Sequence, residues 1–413
     1  MRITVVRPGE LGPAEAARWR ELQQSSSSLD NPFLSVEFTQ VMGELRSYVN
    51  VAVIEDEGKI AGFFPFERHK FGVGKPLGGF LTTWHGVIAN PALRLPARVL
   101  MRACRMSVFD FDHMVSDQAT FTPYRSSAHP VPIMDLSAGF EPYIAQVRAN
   151  SSKNYKTVRY KERKLAREVG ALHFDWCSGE VGTLRTLTGW KSDQYRRTGR
   201  TDRFAQPWIV ELVERLQASD SPHFGGVLTM IYADGEPVAG HFGLRTATTL
   251  VGWFPAYNTA YLKYSPGIVH HLHMAEHAAS AGLHRIDMGR GGKQYKNWLK
   301  NGDLEVIAGR VVRPSAAAAV HFLSRAPLSR ARDVVTSRPS LYRAADRLLK
   351  GFGRLRTSGR SSHSNQMDRQ TPDVMRTCSG SPHTNGRSNG HLPDLAGTNL
   401  LVPTRETREN SSL

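Results

Sequence analysis

Residues 249–298 read TLVGWFPAYNTAYLKYSPGIVHHLHMAEHAASAGLHRIDMGRGGKQYKNW, and the fold turns on this stretch. The run from Thr249 to Asn258 has the length and aromatic content of a strand. After a short loop, Ser265 stands as an N-cap, Pro266 as a first helical residue and Gly282 as a C-terminal cap, so a helix with clear ends is expected. Ile268, Leu272, Ala275 and Ala279 share the face that should pack on a sheet. His270, His273 and His277 share the opposite face and are expected in solvent. With no HExxH pattern and no fourth ligand near in sequence, they are assigned no metal. A helix that starts where a strand ends presents unpaired amides and the positive end of its dipole, which suits an anion. A short strand, HRIDMG from His284, and a later one from Leu304 complete the unit. The GRGGK run is not a phosphate loop, since that pattern would need Gly at Asp287 and Ser or Thr at Gln294. No GxSxG elbow or spaced Cys–His pair supports covalent catalysis.

Two earlier stretches, VAVIEDEGKIAGFFPFERHK from Val51 and LTMIYADGEPVAGHFGLRTAT from Leu228, both read as hairpins. Each turns at an acidic-Gly pair, Glu57-Gly58 and Asp234-Gly235, and returns through Ala-Gly into an aromatic strand. Matching the Ala-Gly pairs puts the offset at about 177 before the turn and about 178 after it, a one-residue difference in the turn. Such spacing fits a duplicated domain, with halves at 1–145 and 146–315.

The 413 residues exceed one ordinary domain, and 40% hydrophobic with 22% charged residues is a globular composition. The N-terminal MRITVVRPGELGP lacks the apolar core of a signal peptide, and no apolar run reaches the length of a membrane span, so a cytoplasmic protein is expected. Cys104, Cys177 and Cys378 encode neither a disulfide framework nor a zinc knuckle. The net charge of +16 is concentrated in two strips: 141–170 has 8 basic and 3 acidic residues, and 310–360 has 12 and 2. The first reads as a solvated helix over 148–167. Within the second, 339–356 places Leu341, Ala345, Leu348, Leu349, Phe352 and Leu355 opposite Arg343, Arg347, Lys350, Arg354, Arg356 and, upstream, Arg338. That is a basic amphipathic helix, suited equally to an anionic membrane surface or to the protein's own body. Nucleic acid ranks below both, because aromatic interleaving is missing. The polar stretch 357–413 is expected to be a disordered tail.

Hairpin, strand, Tyr264-Ser265-Pro266-Gly267, helix, strand, Asp287-Met288-Gly289-Arg290-Gly291 and then Tyr295-Lys296 with Trp298 follow an order that resembles the tandem acyltransferases of the GNAT superfamily. The resemblance spans about residues 30–310 and is to the branch related to the FemAB peptidyltransferases and named for cellulose biosynthesis (CelD-like). Members commonly carry acidic residues after GRG; Gly292 and Lys293 stand there in this chain. The resemblance implies an α/β (α+β) fold of two GNAT-like units with mixed, largely antiparallel sheets flanked by helices; the first half lacks a YSPG-like turn and is expected to be a degenerate unit that shapes the acceptor groove. It also implies an acyl-coenzyme A slot in the second unit. Trp253 to Tyr257 would line that slot, Ser265, Gly267 and Ile268 would receive the pyrophosphate, and Lys263 would add charge; Pro266 has no N–H to give.

The chemistry implied is direct attack of an acceptor amine or hydroxyl on the thioester. His241 is the candidate base, Tyr257 or Tyr264 the proton donor to the leaving thiolate, and Asp287 either orients the acceptor or caps its turn. Arg290, Lys293, Tyr295 and Lys296 are candidate acceptor contacts, and the acceptor is expected to be a small molecule or glycan. Two other readings stand beside this one: an aminoacyl-tRNA-dependent peptidyltransferase holding RNA on 148–167, and a non-catalytic partner of a membrane polysaccharide synthase.

Overall fold

Val49–Asp56 (β2) and Lys59–Arg68 (β3) form the first hairpin, Phe224–Ala233 (β10) and Glu236–Arg245 (β11) the second. Both turn through two residues of positive φ, Glu57-Gly58 at 48° and 76° and Asp234-Gly235 at 53° and 79°. That is the backbone a two-residue hairpin loop needs to match the strand twist, and glycine supplies its second position without strain. The Ile54↔Gly62 and Ile231↔Ala239 pairings, each followed by a bulge, are equivalent residue for residue at one offset of 177. The extra residue inferred from the Ala-Gly pairs therefore does not exist. Those pairs sit one register apart.

The computed structural model describes residues 1–179 and 181–315; the expected basic helix 339–356 and tail 357–413 lie outside the described residues. The remaining strands are Arg2–Val6 (β1), Val73–Pro76 (β4), Ile88–Ala89 (β5), Val108–Val115 (β6), Arg125–Asp135 (β7), Leu172–Trp176 (β8), Asp220–Ser221 (β9), Thr249–Tyr257 (β12), Arg285–Asp287 (β13) and Gly302–Val312 (β14). They join the hairpins in one sheet ordered β1-β2-β3-β4-β6-β14-β7-β13-β12-β11-β10-β8, with β5 on β3 and β9 on β10. Reading inward from both edges gives the same series: an edge strand, a hairpin, and a strand pairing in parallel with the next, β4 with β6 and β12 with β13. The last strand of each half then crosses over. β7 pairs with β13 and β14 with β6, and the two exchanged strands pair with each other. All other pairings are antiparallel, so the sheet is mixed and largely antiparallel, as expected.

Helices cover both faces. Pro13–Gln24 (α1), Val36–Leu45 (α2), Ala97–Ala103 (α3), Phe140–Glu168 (α4), Val181–Arg197 (α5), Pro207–Gln217 (α6), Pro266–Ser280 (α7) and Gln294–Leu299 (α8) are the α-helices among the described residues. α6 buries Ile209, Leu212, Val213 and Leu216, the stripe a helix presents to a sheet, each side chain contributing about 1.5–3 kcal/mol by leaving water. α4 begins at Phe140, well before the expected start, and breaks at Ser151 (φ −151°, ψ 51°). Beyond the break it is more than a solvated helix, because Val158 and Leu165 are buried in the core that holds α7 and Glu162 is buried against His273 of that helix. No helix among the described residues is long and apolar enough to cross a membrane.

In the first half the space beside the parallel pair is filled, since a Cβ on Gly74 of β4 would stand 2.1 Å from Met106 Sδ. The helix that corresponds to α7 there, α3, has only seven residues.

Candidate active site

β12 and β13 pair over three residues, Thr249↔Arg285 to Val251↔Asp287, and then part. From Gly252 onward, β12 has no strand on that side, and a cavity of about 770 Å³ opens there. Pro255, Ala256 and Tyr257 form one wall, Ser265 to Ile268 with His271 the second, and Lys293 with Tyr295 the mouth. Lys191 and Tyr195 of α5, one helical turn apart, close the remaining side.

The α7 corner is built by a strained residue. A 3₁₀ turn over Thr259–Tyr264 runs into α7 through Ser265, whose backbone is left-handed (φ 54°, ψ 50°), a conformation that costs a non-glycine residue about 1–2 kcal/mol. Ser265 occupies the N-cap position, yet its side chain caps nothing; Oγ instead accepts from Lys161 Nζ of α4 at 2.8 Å. Ile268 and Val269 donate their amides to Ser265 O at 3.0 and 3.3 Å, and Pro266 has no N–H. Gly267 is thus the first-turn amide left for a ligand, and a Cβ on it would approach Tyr257 Cδ1 to 3.4 Å across the gap.

Positive charge gathers at this corner. Lys191 Nζ donates to Pro255 O on the open edge of β12 at 2.8 Å. Burial, then Arg203, Arg200 and Lys293, lowers its pKa to about 8. With Lys161, Arg200 and Lys293 it gives the cavity and its rim a cationic lining that an anionic ligand would relieve.

A parted strand pair ending at a helix N-terminus is the geometry expected of an acyl-coenzyme A slot, and residues 152–297 match the family model of the acetyltransferase (GNAT) domain. Residues 152–297 thus match an acyltransferase domain of the GNAT type. No curated protein matches its sequence. Among solved structures, FemX superposes with a TM-score of 0.51 at 10% identity, covering 75% of this chain and 96% of FemX. The C-terminal domain of a putative lysylphosphatidylglycerol synthetase from Agrobacterium fabrum gives 0.45 at 12% identity, with 75% and 97% covered. A tandem GNAT protein from the clavulanic acid biosynthesis pathway gives 0.43 at 10%, with 76% and 99% covered. The FemX likeness supports the fold alone.

Within the GNAT domain, Tyr257, Ser265, Gly267, Ile268, Lys293 and Tyr295 meet at the cavity as the sequence suggested. Six others do not. Trp253 turns to the opposite face, packing on Phe33 and Phe242 and donating Nε1–H to Leu81 O at 2.7 Å. Tyr264 donates its hydroxyl to Glu168 at 2.7 Å, and Lys263 pairs with the same carboxylate at 3.1 Å, so neither faces the slot. Asp287 is fully buried and caps its own turn, accepting from Gly289 N at 2.6 Å and from Trp84 Nε1 of the first half. Lys296 Nζ clips the same turn through Gly289 O at 2.8 Å, and Arg290 reaches Asp112 O at 3.2 Å.

His241 is also displaced from its expected role. Gly243 pairs with Gly252 and Phe242 with Phe254, so Trp253 is a bulge residue whose amide has no strand partner. His241 Nε2 accepts that amide at 3.1 Å; Gly252 gives it room, since a Cβ there would stand 3.1 Å from Nε2. With 1% of its surface exposed, and with burial, His271 and Lys191 pushing its pKa down to about 3, the ring holds the bulge and is not poised to take a proton at neutral pH.

The α7 histidines are likewise not in solvent. His270 lies against Thr229 Oγ1 at 2.9 Å, His273 against Glu162 of α4 at 2.8 Å, and His277 packs on Phe174 with its ring tilted. The helix is packed between the sheet and α4, so it has two covered faces. Sequence reasoning passed over Lys191, Tyr195 and Lys161. The signal present was the i,i+4 pair Lys191/Tyr195 on a helix whose Leu184 and Leu187 face the core, a pattern that many surface helices share.

Proposed function

We propose that this acyltransferase moves an acyl group from coenzyme A to an amine or hydroxyl acceptor by direct attack on the thioester. The pantetheine arm would lie between β12 and β13, and the diphosphate would meet the Gly267 amide and the α7 dipole, with Lys161 beside it. The observation that carries this is the three-residue limit on β12–β13 pairing, with the cavity opening where pairing stops. Lys191, mostly protonated at neutral pH with a pKa of about 8, would donate to the thioester oxygen or the departing thiolate from its place on the β12 edge. Tyr257, facing Gly267 across the slot, would orient the thioester, and Lys293 and Tyr295 would meet the acceptor. The resemblance to the CelD-like branch supports a glycan, cell-envelope or small-molecule acceptor. The first half, with its own cleft filled, would shape the acceptor side.

Thermal-shift titration of the full chain with acetyl-, longer acyl- and free coenzyme A tests the reading. Ligand binding to the folded state must raise the melting temperature as concentration passes the dissociation constant. No shift with any of the three at millimolar concentration would remove coenzyme A from the site.

One observation favours a second reading, transfer from aminoacyl-tRNA. Lys153, Lys156, Arg163 and Arg167 stand exposed along α4, which reaches the α7 corner through Lys161. A tRNA complex whose affinity falls steeply with salt, without any coenzyme A shift, would select it.

A further inference from the structure

A second cluster lies outside the acyl slot. Met114 of β6 pairs with Ile307 and Phe111 with Gly309, so Asp112 and His113 together oppose the single residue Ala308. A bulge of this kind turns consecutive side chains toward one side of the strand, where flat pleating would send them to opposite faces. His85 is stitched to the same place by two backbone bonds, His85 N to His113 O and Val115 N to His85 O, both 2.9 Å. Three chemistry-bearing side chains are therefore held by main chain.

Their ligand atoms converge. His85 Nε2 stands 3.4 Å and His113 Nδ1 3.1 Å from the same oxygen, Asp112 Oδ1, and all three atoms lie within 4.8 Å of one another. Neither nitrogen makes a hydrogen bond of acceptable geometry, although both are buried and the His85 side chain is only 3% exposed. Two buried ring nitrogens left without a well-formed hydrogen bond beside one carboxylate oxygen are a donor set that a cation would satisfy. Donor atoms about 2.0–2.1 Å from a tetrahedral zinc ion stand about 3.3 Å apart, which both measured edges match. On its far side, His85 Nδ1 lies 3.5 Å from Thr82 Oγ1, where a second partner could fix the ring. The Asp112 side chain is 61% exposed, so the fourth position faces solvent.

We propose that His85, Asp112 and His113 form a binding site for a first-row divalent cation with an N₂O donor set, zinc in the first instance. The site is separate from the acyl slot and does not depend on the coenzyme A reading. Arg290, which donates to Asp112 O from the turn after β13, and His129 of β7 are the other titratable groups around it. Occupancy would fix the β6 bulge and, through Arg290, the turn that Lys296 and Asp287 shape.

The test uses tag-free, chelator-stripped full-length protein titrated with Zn²⁺ by calorimetry and with Co²⁺ by visible absorption. Expected are one tight equivalent with the ligand-field bands of a tetrahedral centre, and a rise in melting temperature. Affinity should fall at least tenfold in both Asp112→Asn and His113→Ala. The melting temperatures of the metal-free variants establish that each is folded; Asp112→Asn, a near-isosteric change at an exposed residue, keeps the test open if His113→Ala is not. Binding weaker than about 1 mM, or tight binding unchanged in a folded variant, overturns the proposal.

Discussion

Lys191 shows how much one side chain's surroundings add to its type. On an ordinary helix surface a lysine would titrate near its free value, whereas burial between α5 and the β12 edge brings it down to about 8. The unfolded chain therefore holds a proton that the folded chain has released between pH 8 and about 10.5, so this residue makes stability rise with pH in that window. In Lys191→Met the rise should flatten and melting at pH 7 should be no lower, while turnover drops at least tenfold; thermal melts across pH together with steady-state rates check it. Unchanged turnover would take Lys191 out of the chemistry. Trp253, Tyr264 and Lys263 stand beside the slot in sequence but not in space, because side-chain direction is set by the β12 bulge and by Glu168 on α4.

Element boundaries were the most legible feature. Pro266 and Gly282 bracket α7, with Gly282 at φ 78° just past its end, and the strand–turn–helix order predicted a corner that the structure has. What the 3.6 period could not show is that α7 has two packed faces, because α4 arrives from more than a hundred residues upstream. The consequence is an inward histidine layer. Burial lowers His241 to about 3, His270 well below its usual value and His271 downward. Folded-state values below the unfolded 6.5 mean that the unfolded chain binds more protons, so stability is lost as pH falls below about 6.5. His241 alone should contribute on the order of 3 kcal/mol of that loss by pH 4. His241→Gln, whose Oε1 can still accept the Trp253 amide, should lose less melting temperature between pH 7 and pH 4 than the parent; equal losses would discount the histidine as the cause.

At the level of the whole molecule, the internal repeat was visible in two hairpins, but the crossing of β7 and β14 was not. Nothing in Gly302–Val312 distinguishes a strand that pairs within its own half from one that leaves it. The exchange gives a prediction about fragments. Residues 146–315 alone would keep β13 and β14 without β7, leaving long unpaired edges, and should be insoluble. Coexpression with 1–145 should restore solubility and a complex that survives gel filtration; a soluble, monomeric 146–315 would show that the crossed strands are dispensable.

Because each half completes the other's sheet, the centre of the molecule works like a clasp: whatever loosens β7 from β14 frees both halves at once. If coenzyme A binds along β12 as proposed, it should therefore slow amide exchange in the first half's β6, which lies four strands away in the sheet.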